Sequence, residues 1–132
     1  MKRLFVVAIM ACATLGVDCG GDPTTPSGPG TLLVRLTAPA ANADSAIEFS
    51  ITGPAPLTSV TPGTGLRLFQ QALGGTTTSF ALTGHLTNGA TILTIGVADV
   101  GAVAQYTGSI AGVAQANYQL RLLNAYALAL TR

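Results

Sequence analysis

Few side chains in this sequence could do chemistry, and none has a partner at a useful spacing. His85 is the only histidine, and no cysteine follows Cys19. A metal site or a general base needs a second group of that kind, so His85 reads as an exposed polar residue. The carboxylates beyond residue 30 are Asp44, Glu48 and Asp99. Glycoside hydrolysis needs two carboxylates across a cleft, and the spacing singles out no pair. Asp44 and Asp99 could at most contribute to a calcium site, where about six to eight oxygens are wanted. Glu48 reads instead as an outward strand residue able to pair with Arg35, and Asp99, two positions before Gly101, as a turn residue. Ser and Thr are plentiful, yet no Gly-x-Ser-x-Gly occurs. The glycines at 63, 65, 74 and 75 lack the strand-to-helix context of a phosphate loop. No catalytic residue, metal ligand or cofactor site is expected, and the chain reads as non-enzymatic.

Binding chemistry is nearly as sparse. Flat sugar-binding faces use aromatic platforms; this chain has no Trp, and its tyrosines, Tyr106, Tyr118 and Tyr126, alternate with apolar residues as core positions do. Tyr118 and Phe69 remain as candidate ligand or partner contacts. Alternation places Phe69 and Ile92 outward, where they could mark a protein-contact patch. Charged residues make up 8% of the chain, against about 25% in an ordinary soluble domain. After Cys19 the acids Asp22, Asp44, Glu48 and Asp99 are balanced by Arg35, Arg67, Arg121 and Arg132, and no Lys follows Lys2. That balance excludes the basic footprint of a nucleic-acid binder and a polybasic membrane patch.

The elements that must carry these residues begin with an address. Lys2 and Arg3 precede an apolar run from Leu4 to Val17, the layout of a secretory signal over residues 1–18 and shorter than the roughly 20 residues of a membrane span. Cys19-Gly20-Gly21-Asp22 opens a segment to Gly30 with three Pro, four Gly and no hydrophobic residue after the cysteine, the composition of an extended tether. These residues resemble a bacterial lipoprotein signal, in which cleavage precedes a diacylated cysteine. The resemblance implies lipidation of Cys19, and Gly20 in place of Asp after it implies sorting to the outer membrane. Asp18 departs from the small residue the family has before the cysteine. Cys12, preceded by Ile9-Met10-Ala11, is the alternative acceptor, and ordinary cleavage after Ala13 is a third reading. Two or three acyl chains bury many methylenes at about 0.8 kcal/mol each, enough for stable anchoring.

From residue 31 to 132 the pattern is that of one domain of short strands. Leu32, Val34 and Leu36 share one face of the first, and Ile47, Phe49 and Ile51 one face of the second. Gly53-Pro54-Ala55-Pro56 stops that second run. Shorter strands follow over residues 57–60 and 65–70. Asn88-Gly89 predicts a type I′ hairpin whose paired residues sum to 177, setting Phe80 opposite Val97 and Leu82 opposite Ile95. A strand over residues 104–113, a loop or helical turn over 117–121 and a strand over 124–131 complete the chain.

Seven or eight short strands, regular turn signals and no long amphipathic helix predict an all-β antiparallel sandwich. The run Val97-Ala98-Asp99-Val100-Gly101, a strand with Tyr106 and a last strand with Asn124-Ala125-Tyr126-Ala127-Leu128 are similar to the cohesin and carbohydrate-binding-module group of sandwiches. Fold does not imply function. The expectation is a lipid-anchored envelope protein with a structural or protein-interaction role, the alternative a small carbohydrate-binding module. Its contacts would be a membrane through the anchor only and a protein or polysaccharide partner.

Overall fold

Alternation of apolar and polar residues makes strands here, and the breaks come where Pro, Gly or Asp-containing loops interrupt it. The computed structural model describes residues 25–39 and 43–132. The signal segment over 1–18, Cys12, Cys19 and the first part of the tether lie outside the described residues. The strands are β1 (Gly30–Thr37), β2 (Asp44–Thr52), β3 (Ser59–Pro62), β4 (Arg67–Gly74), β5 (Thr77–Thr83), β6 (Thr91–Val97), β7 (Thr107–Gln115) and β8 (Ala127–Thr131). They form two four-stranded sheets: sheet A in the order β3-β6-β1-β8, and sheet B in the order β4-β5-β2-β7. Every pairing within the sheets is antiparallel, so the fold is the expected all-β sandwich. Among the described residues no helix is long and apolar enough to cross a membrane.

The core lies between the sheets. Leu32, Val34 and Leu36 of β1 and Leu93, Ile95 and Val97 of β6 face Ile47, Phe49 and Ile51 of β2 and Phe80 and Leu82 of β5, all buried. Phe49 and Phe80 are direct cross-strand partners with ring centroids 5.4 Å apart, a contact beyond simple area burial. A single glycine admits one of the tyrosines. A Cβ on Gly53 would run into the ring of Tyr106, which is buried at that point.

The hairpin expected at Asn88-Gly89 does not form. β5 belongs to sheet B and β6 to sheet A, so residues 84–90 carry the chain from one sheet to the other. Asn88-Gly89 is still a turn, with Gly89 at φ 77°. Its hydrogen bonds, however, go to β1 and its continuation: Gly89 N–H donates to Leu36 O (2.7 Å), and Ala38 N–H donates to Asn88 Oδ1 (2.9 Å). Leu86 is fully buried within the crossing. Phe80, Leu82, Ile95 and Val97 all point inward, but from opposite sheets. An inward apolar face looks the same in sequence whether its neighbour is beside it or across the core.

Three further expectations change. Ile92 is buried, not outward, because the irregular register between β1 and β6 at Val34–Arg35 lets both Ile92 and Leu93 turn into the core. Glu48 and Arg35 lie in different sheets and cannot pair across strands. The strand expected over 104–113 is displaced by a 3-10 segment over Val100–Gln105. Among the described residues, the tight hairpin between successive strands joins β4 and β5 at Gly75-Thr76, with Gly74 at φ 104° and Gly75 at φ 57°.

Candidate interaction surface

The two ends of the sandwich are built differently. At the end where β1 starts, Asp99 caps the 3-10 segment: its Oδ1 accepts from Gly101 N–H and from Gly28 N–H, each at 2.8 Å. Val100 N–H donates to Gly28 O (2.9 Å), so the chain is held to the domain two residues before β1 begins. Asp99 is the turn residue its position beside Gly101 suggests. Its negative charge and, more strongly, burial raise the pKa of the Tyr106 phenol.

At the opposite end, Asp44 opens β2 with its side chain wholly buried. Its Oδ1 accepts from Arg121 Nε at 2.8 Å and its Oδ2 from the Tyr126 hydroxyl at 2.6 Å. A buried carboxylate is costly unless it is paired and hydrogen-bonded, and this one is both. Burial first, then the hydrogen bond and charge of Asp44, push the Tyr126 phenol up to about 12, against the lowering pull of Arg121. The clasp ties the segment between β7 and β8 to the body of the domain. Asp44 and Asp99 thus sit at opposite ends, each already engaged, and form no calcium site. Among the described residues no three His, Cys, Asp or Glu come together as metal ligands.

The clasped segment folds back along β7. Gln115 N–H donates to Gln119 O and Arg121 N–H to Val113 O, and Leu120 bridges to Ala114, so residues 119–121 cover the Val113–Gln115 end of β7's free edge. Tyr118 makes the reversal at φ 67°, a left-handed conformation for a residue other than glycine. Extended backbone then alternates. Arg121 and Leu123 turn toward the body, whereas Tyr118, Leu120 and Leu122 stand out at 91%, 79% and 85% exposure. Beside Leu120 lies a shallow groove of about 240 Å³ over the small residues Ala46, Ala81, Gly112 and Ala114, with Glu48 at its side. A second, of about 390 Å³, runs past Leu122 to Pro39 and Tyr126.

The outer face of sheet B continues from this segment in cross-strand rows fixed by the register. One row is Arg67, Thr83, Ala46, Ala114 and Leu120; the next is Phe69, Ala81, Glu48 and Gly112. Beyond them stand Gln71, Ser79, Ser50 and Ser109, then Thr77, Thr52 and Thr107, with the Thr52 and Thr77 hydroxyls 2.9 Å apart. Apart from Arg67, Phe69, Gln71, Glu48 and Leu120, the face is made of small, uncharged side chains.

Of the residues singled out in sequence, Tyr118 and Phe69 are both exposed, Phe69 at 55%, but the structure does not bring them together. Phe69 stands on β4 and Tyr118 beyond β7, the two outer strands of sheet B. That is at least about 14 Å at strand spacings of about 4.8 Å. His85 is exposed in the crossing between β5 and β6. Leu120, Leu122 and the clasp of Asp44, Arg121 and Tyr126 are the residues sequence reasoning missed. Their signal was the alternation Tyr118-x-Leu120-x-Leu122 between Asn117 and Asn124, which near-helical spacing of Val113, Ala116, Leu120 and Leu123 disguised.

Compared with known proteins, the chain matches no family model, no curated protein and no solved structure.

Proposed function

We propose that this is a lipid-anchored, non-enzymatic protein of the bacterial envelope whose sandwich is a protein-interaction module. The anchor is Cys19, with Cys12 the alternative, and the membrane that Gly20 implies is the outer one. The observation that carries the reading is the exposed trio Tyr118, Leu120 and Leu122 on a segment fixed by a buried ion pair. Large apolar side chains grouped on a rigid loop are the usual centre of a protein contact, and tyrosine is enriched among residues that dominate binding energy. Rigidity matters because a loop already ordered loses little entropy on docking. The trio also lies at the end remote from Gly28, where the chain enters the domain. One strand length, about 25 Å for eight residues, separates the two ends, so a tether at one leaves the other free.

The carbohydrate-binding alternative is supported less well. It calls for a shared aromatic platform, and Phe69 and Tyr118 stand on opposite sides of sheet B. The likeness to cohesin-type sandwiches bears on the fold alone.

The test compares proteins captured from solubilised envelopes by the wild-type chain and by a Leu120→Ser/Leu122→Ser variant, with near-native circular dichroism required of both. Loss of a specific partner in the variant is the expected result. The same captured set with both chains, or none with either, would overturn the reading, and retention on an insoluble polysaccharide instead would favour the alternative.

A further inference from the structure

Between Glu48 and Leu120 the outer face of sheet B is hollow. Ala46, Ala81, Gly112 and Ala114 supply little side-chain bulk, and with Glu48 and Leu120 they line the groove of about 240 Å³. Gly112 is the direct cross-strand partner of Glu48, and a Cβ there would meet nothing within 4 Å, so the carboxylate has open space on that side. Glu48 is the one charged residue in the groove's lining and stands exposed. Among the described residues it is in no ion pair; the paired acid is Asp44, which holds Arg121. Arg67, the other charge on this face, is two strands from β2 on the side away from Leu120.

Leu120 belongs both to this groove and to the exposed trio. A partner seated on Leu120 therefore lies over the groove as well, and takes the Glu48 carboxylate out of water. A carboxylate so enclosed is costly unless a cation meets it. We infer that the groove receives a lysine or arginine side chain of the protein partner, its aliphatic stem along Ala46, Gly112 and Ala114 and its charged end on the Glu48 carboxylate. The inference deepens the interaction-module reading and rests on it for the class of partner. Long basic side chains suit such a place, because their methylenes cover apolar surface while the charged head keeps a polar contact. An acidic side chain in the same position would be repelled, so Glu48 selects among partners where the leucines supply apolar contact alone.

The defined probe is the capped peptide acetyl-Leu-Lys-Leu-Lys-Leu-amide, titrated into the isotope-labelled full chain and followed by the amide signals of Glu48, Gly112 and Ala114. The lysine peptide is expected to shift them, and the same peptide with Glu in place of Lys to leave them. Glu48→Gln removes the charge, and Gly112→Val fills the groove at a position with room for it. Each is expected to weaken the lysine peptide at least tenfold, whereas Thr107→Val, on the same strand outside the groove, leaves it unchanged. Equal shifts from both peptides, none from the lysine peptide, or binding indifferent to Glu48→Gln and Gly112→Val would each overturn the inference. Envelope capture separates it from the reading beneath it. A partner lost with Leu120→Ser/Leu122→Ser but kept at wild-type strength by Glu48→Gln would sink this inference alone; capture indifferent to the leucines would sink both.

Discussion

At Asp44, two donors from a distant part of the chain meet one buried carboxylate, and the position of the exposed trio depends on them. Asp44→Asn removes the charge that holds Arg121 and should cost about 2 kcal/mol. Loss of stability in urea titration, together with faster hydrogen exchange at the amide of Arg121, which bonds to Val113 O, would report both consequences. The alkaline side can be worked out from Tyr126. Its phenol titrates near 10 when unfolded and at about 12 in the fold, so the fold favours the neutral form. The stability this contributes is complete below pH 10 and is lost as pH rises to about 12. Tyr126→Phe should flatten that part of the stability–pH curve; an unchanged slope there would assign it to Tyr106 instead, whose phenol is also raised. The clasp was only partly legible in sequence. With few charges in the chain, a buried one had to find a partner, but nothing local says that Asp44 meets a residue 77 positions away.

At the scale of elements, packing of the sandwich's end depends on close approach. The Tyr106 ring occupies the place where a side chain on Gly53 would begin. Gly53→Ala is therefore expected to destabilise the fold by about 1–3 kcal/mol. The cost should largely vanish in a Tyr106→Ala background, a coupling that a double-mutant cycle measures directly. Strand positions were readable because period-two alternation is a local property: β1, β2 and β5 fall close to where the pattern puts them. Strand partners were not. Asn88-Gly89 satisfies the local chemistry of a hairpin, and Phe80, Leu82, Ile95 and Val97 satisfy its facing pattern, yet the turn serves a crossing between sheets. Deciding between a neighbour beside and a neighbour across the core needs contacts that no window of sequence contains.

At the scale of the molecule, the anchor and the domain are separable predictions. Fatty-acid labelling of the expressed protein should be abolished by Cys19→Ser and retained by Cys12→Ser. The reverse pattern would move the anchor to Cys12, and an unlabelled parent would overturn the lipoprotein reading altogether. The sheet order has a consequence of another kind. Only β4 and β5 pair as immediate neighbours in sequence; β1 waits for β6 and β8, and β2 for β5 and β7. Folding dominated by such distant pairings is slow, on the order of milliseconds to seconds. The outer partner of β1 is β8, so sheet A closes only when segments from both flanks of sheet B's strands have come together. All four strands of sheet B lie in sequence between β1 and β8, so that sheet can form while the two flanking strands of sheet A are still unpaired.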